Sequence, residues 1–258
     1  HLPPLPSHWP DPATRYSLPQ WLLDRWTRAF GPDADAVAEA FLSPPLTYVR
    51  ALAPVAGLAP TAVPGCYLVT GDVPPGARIQ DISSQAVVPL LELEPGQTFL
   101  DLCAAPGNKT AQALETPLRL AVDCDASRKR LSNLVVAAGA CARLQLNATC
   151  PLPFGAVFDR ILVDAPCSGT GTIGRNPEIR WRLTPAEIAR QAERQKSILC
   201  NALKCLKPGG RLVYSTCSLE PEENEDVVHA VAPGRVISTM TRLPGRDPGD
   251  GFKAAVLT

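Results

Sequence analysis

The sequence predicts an α/β fold, a doubly wound sheet of mostly parallel strands, with a small N-terminal α+β region ahead of it. Three observations predict it. From about residue 80 strand-like and helix-like patterns alternate. Before that point proline punctuates the chain, half of the 28 prolines lying in the first 75 residues. Two strand-like runs, Phe158 to Asp164 and Gly210 to Ser215, each lead into a cysteine in a tight polar turn, Cys167 and Cys217. In an open α/β sheet, ligands bind at the carboxyl ends of the strands. Two thiols delivered to that edge point to covalent chemistry on a bound substrate.

The elements follow in order. Residues 1–15 read as extended. Pro19 suits a first helical turn, and Leu22, Trp26, Ala29 and Phe30 form an apolar stripe that Gly31 ends. A second short helix is expected over 35–42, stopped by Pro44-Pro45, with a strand over 46–50. Residues 1–79 are therefore read as an N-terminal region that recognises substrate, and residues 80–258 as the catalytic domain. In the latter, strands are expected at 98–102, 118–122, 160–164 and 211–215, and helices at 109–114, 127–138 and 185–206. The last helix has Thr184 as N-cap, Pro185 at its first position and Glu187 completing a capping box. Ile188, Ala192, Leu199, Ala202 and Leu206 keep to one of its faces.

Composition narrows the function classes. The 258 residues carry a formal net charge of zero, so any nucleic-acid surface must be local. Nine cysteines, odd in number, irregular in spacing and without a CxxC, argue against a disulfide framework or a structural zinc. A reducing, cytoplasmic compartment is expected, with no metal. No apolar run approaches the ~18 residues of a membrane span, so no membrane partner is expected, and no signal peptide shows. The chain opens on His1 rather than Met, which leaves room for a missing upstream domain.

The first strand of the alternating pattern runs into Asp101-Leu-Cys-Ala-Ala-Pro-Gly-Asn-Lys-Thr110. Small residues and a Pro-Gly turn let backbone approach a ligand ahead of the next helix. Asp123, placed at the end of the second strand, suits a ribose diol. The loop has neither GxGxxG nor GxxxxGK[ST], which speaks against a nicotinamide and a nucleoside triphosphate. A nucleoside-containing cofactor fits, and so does an ordinary strand-to-helix turn.

Beside the two cysteine motifs, that loop resembles a known family. The chain is similar to the Sun/Fmu-type (Nop/Sun) RNA cytosine-C5 methyltransferases, in their bacterial ribosomal RNA branch. The resemblance rests on Asp101-Leu-Cys-Ala-Ala-Pro-Gly with Lys109-Thr110, on Asp164-Ala-Pro-Cys-Ser-Gly-Thr-Gly and on Arg175-Asn-Pro-Glu-Ile-Arg-Trp. It continues through Pro208-Gly-Gly-Arg-Leu-Val-Tyr-Ser-Thr-Cys-Ser and Glu220-Pro-Glu-Glu-Asn, and the segment Tyr16 to Leu22 fits the same branch. No segment matches the NusB-like domain that often stands upstream in that branch.

The resemblance implies a Rossmann-like methyltransferase sheet, S-adenosyl-L-methionine as cofactor, and RNA as partner, with 16S ribosomal RNA expected and a monomer as the working form. Transfer RNA, or a catalytically silent RNA-binding assembly factor of the same fold, are the alternatives. Cys217 is implied as the nucleophile on cytosine carbon 6, Cys167 as the residue assisting release, and Asp164 as holder of the base edge, with Lys109 beside them. For the cofactor the implied set is Cys103, Ala104, Ala105, Pro106, Gly107, Asn108, Lys109, Asp123, Asn147 and Asp164. The family usually carries glycine at Asn108, an acidic residue at Asn147, Asn at Leu52 and an aromatic at Lys253.

Arg175, Arg180 and Arg182 are the expected RNA contacts. They open a stretch, 171–211, with nine Lys/Arg against three Glu, an excess that suits a phosphate backbone and equally a solvated helix face. Trp181 suits base stacking as well as it suits a core. A cysteine phosphatase would need Cys-x5-Arg, but Ile173 and Glu223 stand six residues after Cys167 and Cys217.

Overall fold

The computed structural model describes residue 6 and residues 8–136 and 139–258. Its larger sheet has seven strands: β5 (Thr98–Asp101), β6 (Leu120–Asp125), β7 (Ala142–Gln145), β8 (Phe158–Asp164), β9 (Leu206–Thr216), β10 (Val236–Arg242) and β11 (Phe252–Leu257). They lie in the order β10-β11-β9-β8-β5-β6-β7. The five from β7 to β9 are parallel, and β11 and β10 close one edge as an antiparallel hairpin. The order reverses between β5 and β8, which places a crevice at their carboxyl ends. Ile161, Leu162 and Val163 are fully buried, as expected of a central parallel strand covered on both faces.

A second sheet is antiparallel and built ahead of the first. It contains β1 (Thr47–Arg50), β2 (Ala59–Pro60), β3 (Cys66–Val69) and β4 (Arg78–Ile79), in the order β2-β3-β1-β4. Before it come α1 (Pro12–Tyr16), α2 (Gln20–Phe30) and α3 (Asp33–Ala40). The short α4 (Ile82–Gln85) leads on to the catalytic sheet. Among the described residues, no helix is long and apolar enough to cross a membrane.

Several expectations need correction. Part of the stretch read as extended is α1, because Asp11 accepts hydrogen bonds from the Thr14 N–H at 2.7 Å and from its hydroxyl at 2.8 Å, with Pro12 at the first position. Residues 1–5 and 7 lie outside the described residues. Helix α3 begins at Asp33 rather than 35, since Asp33 and Asp35 both suit its first turn. Strand β6 runs on to Asp125, because the acidic residues that read as its end are themselves buried. The helix expected over 127–138 is only α6 (Arg128–Ser132), and 137–138 lie outside the described residues. The next helices in order are α5 (Asn108–Ala113), ahead of α6, then α7 (Ile179–Arg182), α8 (Pro185–Leu203) and α9 (Glu225–Val231). Helix α8 keeps its expected cap, Thr184 Oγ1 accepting from Glu187 N at 3.2 Å, and ends before Leu206, where β9 begins. Strands β7, β10 and β11 and helix α9 were not expected.

The N-terminal helices do not form a core of their own. Leu22, Trp26, Val37 and Phe41 pack in one cluster with Ile173, Ile179, Leu183 and Ile188 of the segment after β8 and with Leu219 after β9. Trp26 Nε1 donates to Glu220 at 3.0 Å, and Arg25 bridges Glu220 at 2.8 Å and Glu222 at 2.6 Å. Deleting the buried Trp26 side chain leaves both a void and an unpartnered carboxylate oxygen. Trp26→Ala is expected to cost about 3–5 kcal/mol, and urea unfolding is expected to remain a single transition. A separate early transition for the N-terminal helices would contradict the shared core.

Candidate active site

The site is assembled at the carboxyl ends of β5, β8 and β9. Asp101 ends β5 and is buried. Its carboxylate accepts from Cys103 N at 3.2 Å and from Thr110 Oγ1 at 2.9 Å, which fixes the loop between strand and helix. Burial, reinforced by the neighbouring Asp123, pushes Asp101 up to about 8. Gly107 has φ +98°, and a Cβ there would stand 3.3 Å from both Leu134 Cδ2 and Val135 N. The loop therefore needs glycine for its backbone and for its packing. Asn108 is not in the left-handed region; it is the first residue of α5, so asparagine in place of glycine carries no backbone penalty here.

A cavity of about 230 Å³ opens beside this loop, bounded by Cys103, Asp125, Asn147, Asp164, Cys167 and Cys217 among others. Arg194 and Ile198 of α8 form its far wall. Burial holds the Cys103 thiol well above its ordinary value, so it is a neutral wall residue. Asn147 folds back on its own loop, its Oδ1 accepting from Thr149 N at 3.1 Å and Thr149 Oγ1 at 2.8 Å. Asp123 stands behind the cavity wall, fully buried. Its Oδ2 accepts from Cys141 Sγ at 3.1 Å, its Oδ1 has no partner, and burial raises its pKa. The acid that faces the cavity is Asp125, two residues on and on the same strand face, held by Ser127 N at 2.7 Å and Arg130 at 2.9 Å. The sequence reading missed it; the second acid of Asp123-Cys-Asp125 was its signal.

The reacting end of the cavity is built by β8 and β9 together. Asp164 is gripped on both oxygens, by Lys109 Nζ at 2.7 Å and Ser215 Oγ at 2.8 Å. The Lys109 ammonium also lies 4.8 Å from the centre of the Phe252 ring. The sulfurs of Cys167 and Cys217 are 3.4 Å apart. The adjacent sulfur and burial push Cys167 well above the ordinary thiol value. Gly171 lies against the Cys217 and Gly251 carbonyls, where a Cβ would come to 2.8 and 2.4 Å. This close approach lets Gly171 N donate to Cys217 O at 2.9 Å.

The three arginines expected on RNA divide. Arg175 binds Asp250 at 2.7 Å, Asp81 at 3.0 Å and the Leu46 carbonyl at 3.0 Å, tying the segment after β8 to the N-terminal sheet. Arg180 is buried and donates to the Phe41 carbonyl at 2.7 Å. Only Arg182 remains open to solvent, with Trp181 66% exposed beside it. Arg182 lines a second cavity, of about 360 Å³, that also opens on Cys167. On α8, Arg190 and Lys196 pair with Glu187 and Glu193 one turn away, which absorbs part of the local basic excess.

Comparison with known proteins fits this arrangement. Residues 88–250 match the family described as 16S rRNA methyltransferase RsmB/F. The chain belongs to this RsmB/F family. It is 33% identical over 292 residues to ribosomal RNA small subunit methyltransferase B of Enterobacter sp. (strain 638), covering 96% of this chain and 68% of that protein. Against the protein of the same description from Vibrio cholerae it is 41% identical over 208 residues, covering 70% of this chain and 45% of that one. The chain thus spans about two thirds or less of the length of these relatives. Among solved structures, PH0851 superposes with a TM-score of 0.87 at 26% identity, over 97% of this chain and 70% of that one. A methyltransferase homolog protein from Pyrococcus horikoshii gives 0.75 at 26% identity, over 95% and 97%. These bear out the Rossmann-like methyltransferase fold and S-adenosylmethionine as the cofactor of this RsmB/F chain.

Two outcomes are expected. Gly107→Ala puts a side chain where φ is positive and Leu134 is already in contact, so S-adenosylmethionine affinity should fall about tenfold or more by calorimetry. The second concerns pH. Asp101 keeps its proton up to about 8 in the folded chain, against an ordinary value of 3.8. The folded state therefore binds a proton that the unfolded state has lost, and stability declines as pH rises across that interval. The apoprotein Tm should fall between about pH 6 and 8, and Asp101→Asn should flatten the decline.

Proposed function

We infer that this chain transfers a methyl group from S-adenosylmethionine to carbon 5 of a cytosine in RNA, with 16S ribosomal RNA as substrate and the cytoplasm as its compartment. The observation that carries this is the pair of sulfurs 3.4 Å apart, on one cavity wall with a carboxylate gripped on both oxygens. All nine cysteines are free, which suits that compartment.

The residues present fit the cofactor. Asp125 faces the cavity, so an acceptor for a ribose diol is at hand. The Cys103–Gly107 loop offers a close backbone wall, and Ala105, Leu146, Ala148 and Ile198 supply apolar surface for a purine. When bound, S-adenosylmethionine supplies an electrophilic methyl group to the reaction.

Carbon 5 of cytosine is a poor nucleophile. Addition of the Cys217 thiolate at carbon 6 forms a carbon–sulfur bond and makes the ring an enamine, whose carbon 5 then attacks the methyl carbon. Asp164 accepts from the base's amino group and from ring nitrogen 3 in its protonated form, the form that addition at carbon 6 requires, and Lys109 and Ser215 fix the plane of that carboxylate. Release passes the carbon 5 proton to a solvent base, its electron pair re-forms the 5,6 double bond, and the carbon 6–sulfur bond breaks with Cys217 leaving as thiolate. Cys167 Sγ, 3.4 Å from that of Cys217, is placed to hydrogen-bond the departing sulfur. The base must leave its stack to reach the cavity, and Arg182 and Arg190 line the second cavity that opens on Cys167.

The test is transfer of labelled methyl to unmodified 16S ribosomal RNA and to transfer RNA, followed by mapping of 5-methylcytosine. Label in ribosomal RNA alone is expected; label in transfer RNA would move the substrate, and none in either would overturn the reading. The roles separate by variant. Cys217→Ala should give no covalent RNA complex, while Cys167→Ala should accumulate one that survives denaturing gels. Equal behaviour of the two would refute the division of labour.

A further inference from the structure

Glu223 is fully buried in the Glu220-Pro-Glu-Glu-Asn segment after β9. Its Oε1 accepts from Ser168 N at 2.8 Å and Gln195 Nε2 at 3.0 Å. Its Oε2 accepts from the hydroxyls of Ser168 and Ser218, which are themselves 3.0 Å apart. All its side-chain partners are neutral donors, and burial raises its pKa while the serine bonds pull it down. The Tyr214 hydroxyl donates to the Glu223 carbonyl at 2.6 Å, so the backbone is anchored too.

Ser168 follows Cys167 and Ser218 follows Cys217. One carboxylate thus joins the residues next to both sulfurs, although the two loops come from different strands. A charged group is an expensive way to join two loops inside a protein. The loops already have other bonds between them, from Gly171 N to Cys217 O at 2.9 Å and from Leu219 N to Thr170 Oγ1 at 2.8 Å. One residue from each thiol, the Ser168 and Ser218 hydroxyls meet at 3.0 Å, and Glu223 Oε2 accepts from both, which fixes the direction of each as well as their distance. Gln195 extends the tie, its amide also donating to the Pro166 carbonyl at 2.9 Å on the other side of Cys167.

We propose that Glu223 is a positioning residue that holds the Cys167 and Cys217 sulfurs in register across the two loops. Its effect on the reaction rests on the two-thiol reading above; its effect on the sulfurs does not. Glutamine in its place keeps one acceptor and loses the other, and alanine loses both. Because the Thr170 and Gly171 bonds remain, the loops stay docked in either variant while the sulfurs drift.

The sulfur separation can be read without RNA or cofactor. Diamide removes one proton and one electron from each of two neighbouring thiols to form a disulfide and is itself reduced to the hydrazine. In a background with the exposed Cys150 and Cys200 changed to serine, peptide mapping should show rapid Cys167–Cys217 cross-linking in otherwise unchanged protein. Glu223→Ala should slow it about tenfold, the scale of losing a charged hydrogen bond, with Glu223→Gln between. If Glu223→Ala unfolds, the double variant Ser168→Ala/Ser218→Ala removes the same two hydroxyl bonds and should show the same slowing. Cross-linking at the parental rate in a folded variant overturns the proposal.

The catalytic arm uses RNA carrying 5-fluorocytosine, whose carbon 5 has no proton to lose once methylated, so the Cys217 adduct persists. Adduct formation should slow with Glu223→Gln while the KM for S-adenosylmethionine stays within about twofold. Equal adduct rates in parent and variant overturn the positioning role. If the parent itself forms no adduct, the two-thiol reading fails, and the cross-linking ratio still decides whether Glu223 sets the sulfur spacing.

Discussion

The parallel pairing of β8 with β9 is the constraint on which the site depends. In its register Asp164 lies opposite Ser215, so the two strands end level with each other. The loops that follow then carry Cys167 and Cys217 to the same point, although fifty residues separate them. Ser215 reaches across that pairing to hold Asp164, and Gly171 N and Cys217 O extend the contact beyond the last strand bond. A slip of one residue would move Asp164 to the opposite face of the sheet and separate it from Lys109 and both sulfurs. The flanking core is built to prevent it, since Ile161, Leu162, Val163, Leu212, Val213 and Tyr214 are all buried against helices. Below the site, Asp159 holds Thr98 N at 2.8 Å and Lys207 at 2.7 Å, which locks β5, β8 and β9 at their other ends.

The same loops are held from outside by the N-terminal helices. Leu219 and Glu220, two and three residues from Cys217, are partners of Trp26 and Arg25, and Arg180 is spent on the Phe41 carbonyl. These residues trade RNA-facing charge for rigidity. Arg175, set between Asp81 and Asp250, does the same at the opposite side of the turn. Burial pushes Asp250 up to about 6, so this junction weakens as that carboxyl takes its proton in mild acid. The basic stretch thus divides, Arg175 and Arg180 being spent on internal contacts while Arg182, Arg190, Arg194 and Lys204 stay exposed.

Elements were legible where one physical signal dominated. The runs of apolar residues in β5 and β8 can only be central strands, and the Thr184 cap with Pro185 fixes the start of α8. Strands β7 and β10 were not legible, because both are half-exposed, mixed in polarity and specified by ladder bonds to a neighbour rather than by their own pattern. The site divides the same way. Cys167, Cys217 and the loop at Gly107 declare themselves through turns and strand ends. Glu223 reads as one more acid in an exposed acidic run; only the meeting of two loops around it turns it inward. Asp125 was hidden behind Asp123 because an acidic residue reads as a strand end, whereas here both are buried in the strand.

That concentration of acids has an electrostatic consequence. Burial raises both Asp101 and Asp123, and Asp123 adds to the cost of ionising Asp101. Lys109 is committed to Asp164 and Arg130 to Asp125, so no basic side chain is among the hydrogen-bond partners of Asp101 or Asp123. A ligand that brings positive charge to this edge, as a sulfonium nucleoside does, lowers that cost. The buried acid that makes the empty fold less stable as pH rises is thus set into the same strand end that carries the Cys103–Gly107 loop, which links the pH response of the fold to the edge on which the site is built.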